Sequence, residues 1–285
     1  MKVLVVGLGQ VGGALALSLK EDGYEVRGIK RRPSSSTFPT VFADITQRLS
    51  LSSITEPVQA VVYVMTPTER SEAGYRKVYL DGLHNLSQRL ADLDCFPKWF
   101  FVSSTSVYGQ SQGEWVDESS LAKPNAYNGR VLLEAENWVT SKQGTVLRFA
   151  GIYGPTRFRL IKNLLAGKAV QQTPPYYTNR IHEQDCVGML KLLIDKFRLG
   201  QVLEPIYLGC DDDPAPAWTV NAWLAEQLDV GPSVLQAKES CENPEQNKRC
   251  RNDKIKKLGY ELYYPSFREG YQETIQTWQA SQNRL

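Results

Sequence analysis

Short runs rich in apolar and β-branched residues alternate with longer stretches in which apolar positions recur every three or four residues. Val3 to Val6, Tyr24 to Ile29, Val41 to Ala43, Ala60 to Met65 and Trp99 to Ser103 are the runs; Val11 to Leu19 and Ser71 to Leu93 are the helical stretches. Strands that read as near-continuous apolar runs are buried on both faces. The pattern therefore predicts an α/β fold, a doubly wound parallel sheet covered by helices. Right-handed crossovers gather the carboxyl ends of such strands along one edge, where ligands bind.

From about Gly154 the pattern becomes irregular. Pro174-Pro175, Pro214 and Pro216 punctuate it, Gly200 to Gly209 holds one more short strand, and the polar segment Lys238 to Asp253 reads as an exposed connection. The expected division is a nucleotide-binding domain over 1–153 and a portion over 154–285 that completes the sheet and forms a smaller substrate-binding region. No internal repeat or low-complexity tract interrupts it.

Composition narrows the function classes. The 285 residues carry a formal net charge of +2, too small to imply a nucleic-acid or anionic-membrane partner. Five scattered cysteines (Cys95, Cys186, Cys210, Cys241, Cys250) form no CxxC pair and suit a reducing, cytoplasmic setting. Two histidines, His84 and His182, offer no zinc-ligand spacing. Gly7, Gly9, Gly12 and Gly13 interrupt what would otherwise read as a signal-peptide core, and no stretch reaches the ~18 apolar residues of a membrane span.

Gly7-Leu8-Gly9-Gln10-Val11-Gly12 follows a strand directly and opens a helix. The first glycine permits the tight turn, the second lets the backbone approach a diphosphate, and the third lets helix and strand pack closely. Free amides at the helix start then face the phosphates. In this context the sequence predicts a Rossmann dinucleotide site. An NAD site usually ends its second strand on an acid; here Lys30-Arg31-Arg32 stands instead, which suits the 2′-phosphate of NADP, or is a solvated basic loop. Asp44 is either an acceptor for the adenine amino group or the N-cap of a helix through Leu49. Ile45 beside it and Thr66 after the fourth run complete the expected cofactor set.

Further segments point to a family. They are Val102-Ser103-Ser104-Thr105-Ser106-Val107-Tyr108-Gly109, Asp117-Glu118, the run from Leu147 to Pro155, Asn179 to Asp185, and Asn252 to Gly270. As a set they resemble the NAD-dependent epimerase/dehydratase family of extended short-chain dehydrogenases/reductases, most closely its atypical YeeZ-like bacterial branch. The resemblance implies an NAD(P) fold with substrate held between the sheet and the C-terminal region. It also implies homodimerisation through the helices at Ser71 to Leu93 and Tyr127 to Val139.

Catalysis in that family uses a Ser or Thr that binds the substrate oxygen, a Tyr that passes a proton, and a Lys four residues later. Lowering a phenol pKa from 10 to near 7 takes roughly 4 kcal/mol of preferential phenolate stabilisation. Ser104 matches the first position and Tyr127 the second, but Val131 stands where the Lys belongs. A register that puts Arg130 there leaves Ala126 at the Tyr position. Arg130 is a helical neighbour of Tyr127 and could supply the charge, bind substrate or phosphate, or pair with Glu134. His182 and Asp185 read as a helix start, with Asp185 its cap. Arg148 and Arg180 are candidates to face an anionic substrate, and Tyr176 and Tyr177 either line a pocket or shield a loop, the loop being favoured. The expected function is an NADP- or NAD-dependent reductase or epimerase acting on a sugar or nucleotide-sugar carbonyl. The alternative is a non-catalytic NADP-binding sensor or assembly protein.

Overall fold

The computed structural model describes residues 1–33, 37–239 and 246–282. Its strands are β1 (Lys2–Val6), β2 (Glu25–Lys30), β3 (Thr40–Phe42), β4 (Ala60–Tyr63), β5 (Lys98–Ser104), β6 (Glu114–Val116), β7 (Thr145–Phe149), β8 (Gly151–Tyr153), β9 (Val170–Gln171), β10 (Arg180–His182), β11 (Ile206–Gly209), β12 (Ala237–Lys238) and β13 (Lys248–Cys250). Its longer helices are α1 (Gln10–Glu21), α2 (Glu72–Arg76), α3 (Gly82–Ala91), α4 (Tyr127–Ser141), α5 (Arg159–Leu165), α6 (Glu183–Arg198), α7 (Ala217–Gln227), α8 (Asp253–Lys257) and α9 (Phe267–Gln282).

Seven strands form one sheet in the order β11-β7-β5-β4-β1-β2-β3, with the pairs from β5 to β3 all parallel. The apolar runs end up where their composition demands: every residue of β4, and all of β1 after Lys2, is buried. The chain runs outward from β1 through β2 and β3, then returns to β4 on the other side of β1. That reversal opens a crevice at the carboxyl ends of β1 and β4.

The chain divides into two compact units whose segments interleave: Met1–Val107, Ala122–Arg148 and Val187–Tyr207 in the first, Tyr108–Leu121, Phe149–Cys186 and Leu208–Leu285 in the second. In the first, the helical stretch after β4 spans Glu72 to Ala91, but its middle turn, Lys77–Asp81, is a π turn. The cause is local. The Tyr63 hydroxyl donates to the Val78 carbonyl at 2.5 Å, and it approaches so closely that any Cβ at Gly82 would collide with it. Arg148 is 3% exposed and clasps Glu136 at 2.6 Å, while Ser103 donates to the same carboxylate. This pairing corrects the expectation that Arg148 faces a substrate, because its guanidinium is consumed inside the core.

The second unit is built on two-stranded parallel pairs, β10 with β8, β12 with β9 and β13 with β6, and on a core including Tyr153, Ile161, Val220, Leu224, Phe267 and Tyr271. The segment from Lys238 to Asp253 is not simply an exposed connection. Lys248, Cys250 and Asn252 are buried; Lys248 donates to the Tyr108 carbonyl at 3.2 Å, and Asn252 to the Cys210 carbonyl at 2.8 Å. Polar residues are buried here because each meets a backbone or side-chain acceptor. Cys241 lies outside the described residues.

Candidate active site

The crevice at the sheet's reversal is a cleft of about 430 Å³ lined by Gly7, Leu8, Gly9, Lys30, Arg31, Arg32, Ala43, Ile45, Val64, Met65, Thr66 and Thr68, with Val6 and Ile29 at its base. Its floor is the glycine turn. Gly7 adopts φ +96°, its amide donates to the Ile29 carbonyl at 3.1 Å, and a Cβ would run into the Val64 carbonyl. At Gly12 a Cβ would strike the Gly7 carbonyl, so α1 and the turn touch backbone to backbone. A Cβ at Gly9 would meet nothing within 4 Å. Gly9 precedes the twelve-residue α1, which has no side-chain cap and no acid in its first turn. An open space at the amino end of α1, where the helix dipole concentrates positive charge, fits the diphosphate of a dinucleotide.

Other expected cofactor residues divide. Lys30 ends β2 and Arg31 and Arg32 follow it, both exposed, on the rim of the cleft. No carboxylate lines it among the described residues. Ile45 and Thr66 line the cleft. Gln10 and Val11 belong to the first turn of α1, with Val11 buried in the core. Asp44 is not a helix cap: its Oδ1 accepts from the Thr46 amide and hydroxyl, both at 2.9 Å, and the following 3-10 helix, Arg48–Ser53, begins after Gln47. Both Thr46 donors meet the Asp44 carboxylate, so Asp44 closes a turn.

Ser104 ends β5, and its hydroxyl oxygen accepts from the Ser106 amide at 3.2 Å. The next turn packs against the start of α4, where Gly129 leaves room for the Ser106 carbonyl. Tyr127 is the first residue of α4. Its hydroxyl donates to the Arg70 carbonyl at 2.8 Å and its ring meets Tyr75 edge-on at 5.5 Å. Arg130 donates to the Asn125 carbonyl and lies 3.8 Å from Glu72. It does not pair with Glu134, whose carboxylate is held by Arg76 at 3.0 Å. No hydrogen bond joins Arg130 to Tyr127 among the described residues.

In the second unit, Arg180 is buried and donates to the Thr178 hydroxyl and carbonyl at 2.6 and 3.2 Å. Asp185 is not the cap of α6. It accepts from the Tyr260 hydroxyl at 2.9 Å and from the Tyr263 and Tyr264 amides, fastening the loop before α9, while His182 Nδ1 accepts from the Gln184 amide at the helix start. Burial pushes the Asp185 carboxyl up and the His182 imidazole down to about 4. Tyr177 packs on Arg249 at 4.7 Å, a surface role rather than a pocket wall.

A sequence model of the NAD dependent epimerase/dehydratase family matches residues 3–196. The chain belongs to that family. YeeZ of Escherichia coli K12 is 32% identical over 213 residues, 70% of this chain and 76% of YeeZ. A Methylobacillus flagellatus protein described as an NAD-dependent epimerase/dehydratase superposes with a TM-score of 0.82 at 32% identity, covering 98% of both chains. The UDP-glucose 4-epimerase of Thermotoga maritima, solved with UDP-glucose, shares the fold: TM-score 0.81 at 18% identity, over 99% of this chain and 100% of that one.

Within the family frame, Leu8, Val64, Met65 and Thr68 are cleft residues that sequence reasoning missed. The signal was topological. Whatever follows β4 must face whatever follows β1, because the two strands are parallel neighbours across the reversal.

Proposed function

We propose that the cleft binds a nicotinamide dinucleotide, NADP in preference to NAD, and that the chain uses it for oxidoreductase chemistry on a sugar or nucleotide-sugar carbonyl or hydroxyl. One observation carries the reading: the open space before Gly9, at the amino end of α1, is rimmed by Lys30, Arg31 and Arg32 and by no carboxylate among the described residues. Gly7, Gly9, Gln10, Val11 and Gly12 form the diphosphate seat, Ile45 and Thr66 its walls, and Asp44 flanks the adenine end. When bound, the nicotinamide ring supplies hydride transfer. Ser104 keeps its hydroxyl proton for a substrate oxygen, since only its oxygen is engaged by Ser106. Tyr127 can move a proton once its hydroxyl leaves the Arg70 carbonyl, and Arg130, exposed at the same helix end, supplies positive charge. The substrate class is supported by the family and by the UDP-glucose held in the Thermotoga maritima structure.

Titration calorimetry with NADPH and NADH tests the cofactor reading. NADPH is expected to bind about tenfold tighter or more, and Arg31→Glu with Arg32→Glu to erase the difference. Equal or tighter NADH binding overturns the preference. Oxidation of NADPH across a panel of sugar carbonyls tests the chemistry, with Tyr127→Phe expected to slow turnover about 100-fold while leaving NADPH affinity unchanged. One observation favours a second reading, a dinucleotide-binding protein without turnover: the Tyr127 hydroxyl and the Arg130 guanidinium are each committed to backbone carbonyls. Tight NADPH binding with no oxidation on any carbonyl would select it.

A further inference from the structure

The wall of the cleft opposite the glycine turn is the segment after β4, which contributes Val64, Met65, Thr66 and Thr68. Met65 is its pivot. Its sulfur lies only 2.9 Å from where a Cβ of Gly7 would stand, so the side chain packs directly on the first glycine of the turn. Its carbonyl accepts from the Tyr79 hydroxyl at 2.9 Å. Tyr79 is buried, is not among the residues lining the cleft, and belongs to the π turn Lys77–Asp81.

One extra residue per turn changes which direction a side chain takes by roughly 100° relative to an uninterrupted α-helix. The π turn is therefore what aims Tyr79. It is held open by the Tyr63 hydroxyl on the Val78 carbonyl and by the missing side chain at Gly82. Tyr63 comes from the end of β4, immediately before the wall that Tyr79 supports. Strand, π turn and wall form a closed loop of contacts: Tyr63 to Val78, Tyr79 to Met65, Met65 to Gly7. The Tyr79 ring is fixed as well, edge-on to Phe101 at 5.9 Å and 5.6 Å from Tyr75.

We propose that Tyr79 is a positioning residue for dinucleotide binding, aimed by the Tyr63-braced π turn and acting through the Met65 carbonyl on the Gly7 turn. The inference rests on the cleft being the dinucleotide site. Tyr79 touches no ligand itself. It sets the separation between the Val64–Thr68 wall and the glycine turn.

The test is NADPH affinity by calorimetry across a double-mutant cycle, with amide hydrogen exchange on the free chain. Tyr79→Phe keeps the ring and removes one hydrogen bond. NADPH affinity is expected to fall about fivefold or more, and exchange at Thr66, Thr68 and Gly9 to accelerate without ligand present. Tyr63→Phe, which alters no residue lining the cleft, is expected to give the same loss by releasing the π turn. The double variant should lose no more than either single one, because both act through one contact. Leu90→Val, a core change in α3, is the stability control and should leave NADPH affinity untouched. Unchanged affinity and exchange in Tyr79→Phe, or losses that multiply in the double variant, overturn the proposal. No NADPH binding by the unaltered chain overturns the cleft assignment and this inference together, whereas normal binding by both single variants overturns this inference alone.

Discussion

Gly7, Gly9 and Gly12 sit within six residues and carry different constraints, and substitution separates them. Gly12→Ala drives a methyl group into the Gly7 carbonyl, so it should cost about 1–3 kcal/mol of stability and disturb the cleft as well. Gly9→Asp should do the opposite: an aspartate before α1 caps the helix and complements its dipole, so the melting temperature should hold or rise. The same carboxylate would occupy the anion seat, and NADPH binding should fall at least about 100-fold. Calorimetry beside thermal melts would show whether the two effects part company. His182 offers a third test at this scale. Its imidazole, pushed down to about 4 by burial, stays neutral in the folded chain while the unfolded chain takes up a proton near its ordinary value of 6.5. Between those values the unfolded state binds more protons, so the His182 contribution is intact above pH 6.5 and is lost as pH falls toward 4, by up to about 3 kcal/mol. Asp185 and Asp211, raised by burial, titrate with the opposite sign. The readout is therefore the difference in urea-unfolding free energy between the unaltered chain and His182→Asn, which retains an acceptor at the helix start but no titratable group.

At the level of elements, β5, α4 and β7 are tied by one buried ionic cluster. Removing only Arg148, as in Arg148→Met, strands the Glu136 carboxylate and should cost about 3–5 kcal/mol by chemical denaturation. Replacing both with apolar residues should restore most of that loss. The cluster also marks where sequence reading stops. The strands β1 and β4 were legible because burial on both faces leaves an unbroken apolar run, and the glycine turn was legible because Gly7 and Gly12 answer steric demands while Gly9 leaves the space before α1 open. Arg148 and Arg180 were read as candidates to face substrate because periodicity reports which face of an element is buried, not which residue lies across from it. Glu136 is 12 residues from Arg148 in sequence and meets it only after α4 folds back onto β7. The π turn was invisible for the same reason, since Tyr63 and Val78 are brought together by packing and not by spacing. Lys248 and Asn252 looked solvent-bound until their acceptors at Tyr108 and Cys210 came into place. Ser104 and Tyr127 were legible as candidates by residue type, whereas the Arg70 carbonyl that engages Tyr127 was not.

For the whole molecule, the order of segments matters more than their sum. The first unit draws on three stretches of chain, and the last of them ends only at Tyr207. A fragment of residues 1–153 would contain six strands of the sheet but lack β11 and the part of α6 that belongs to this unit. It should remain partly unfolded or aggregate, which circular dichroism and size-exclusion chromatography would reveal. The same layout governs how the protein is made. As the polypeptide leaves the ribosome, β7 waits with an unpaired, apolar edge while some fifty further residues are synthesised, a delay of several seconds at ordinary elongation rates. Nascent molecules are thus exposed to one another in that interval, and a chaperone able to shield a single sheet margin should raise the yield.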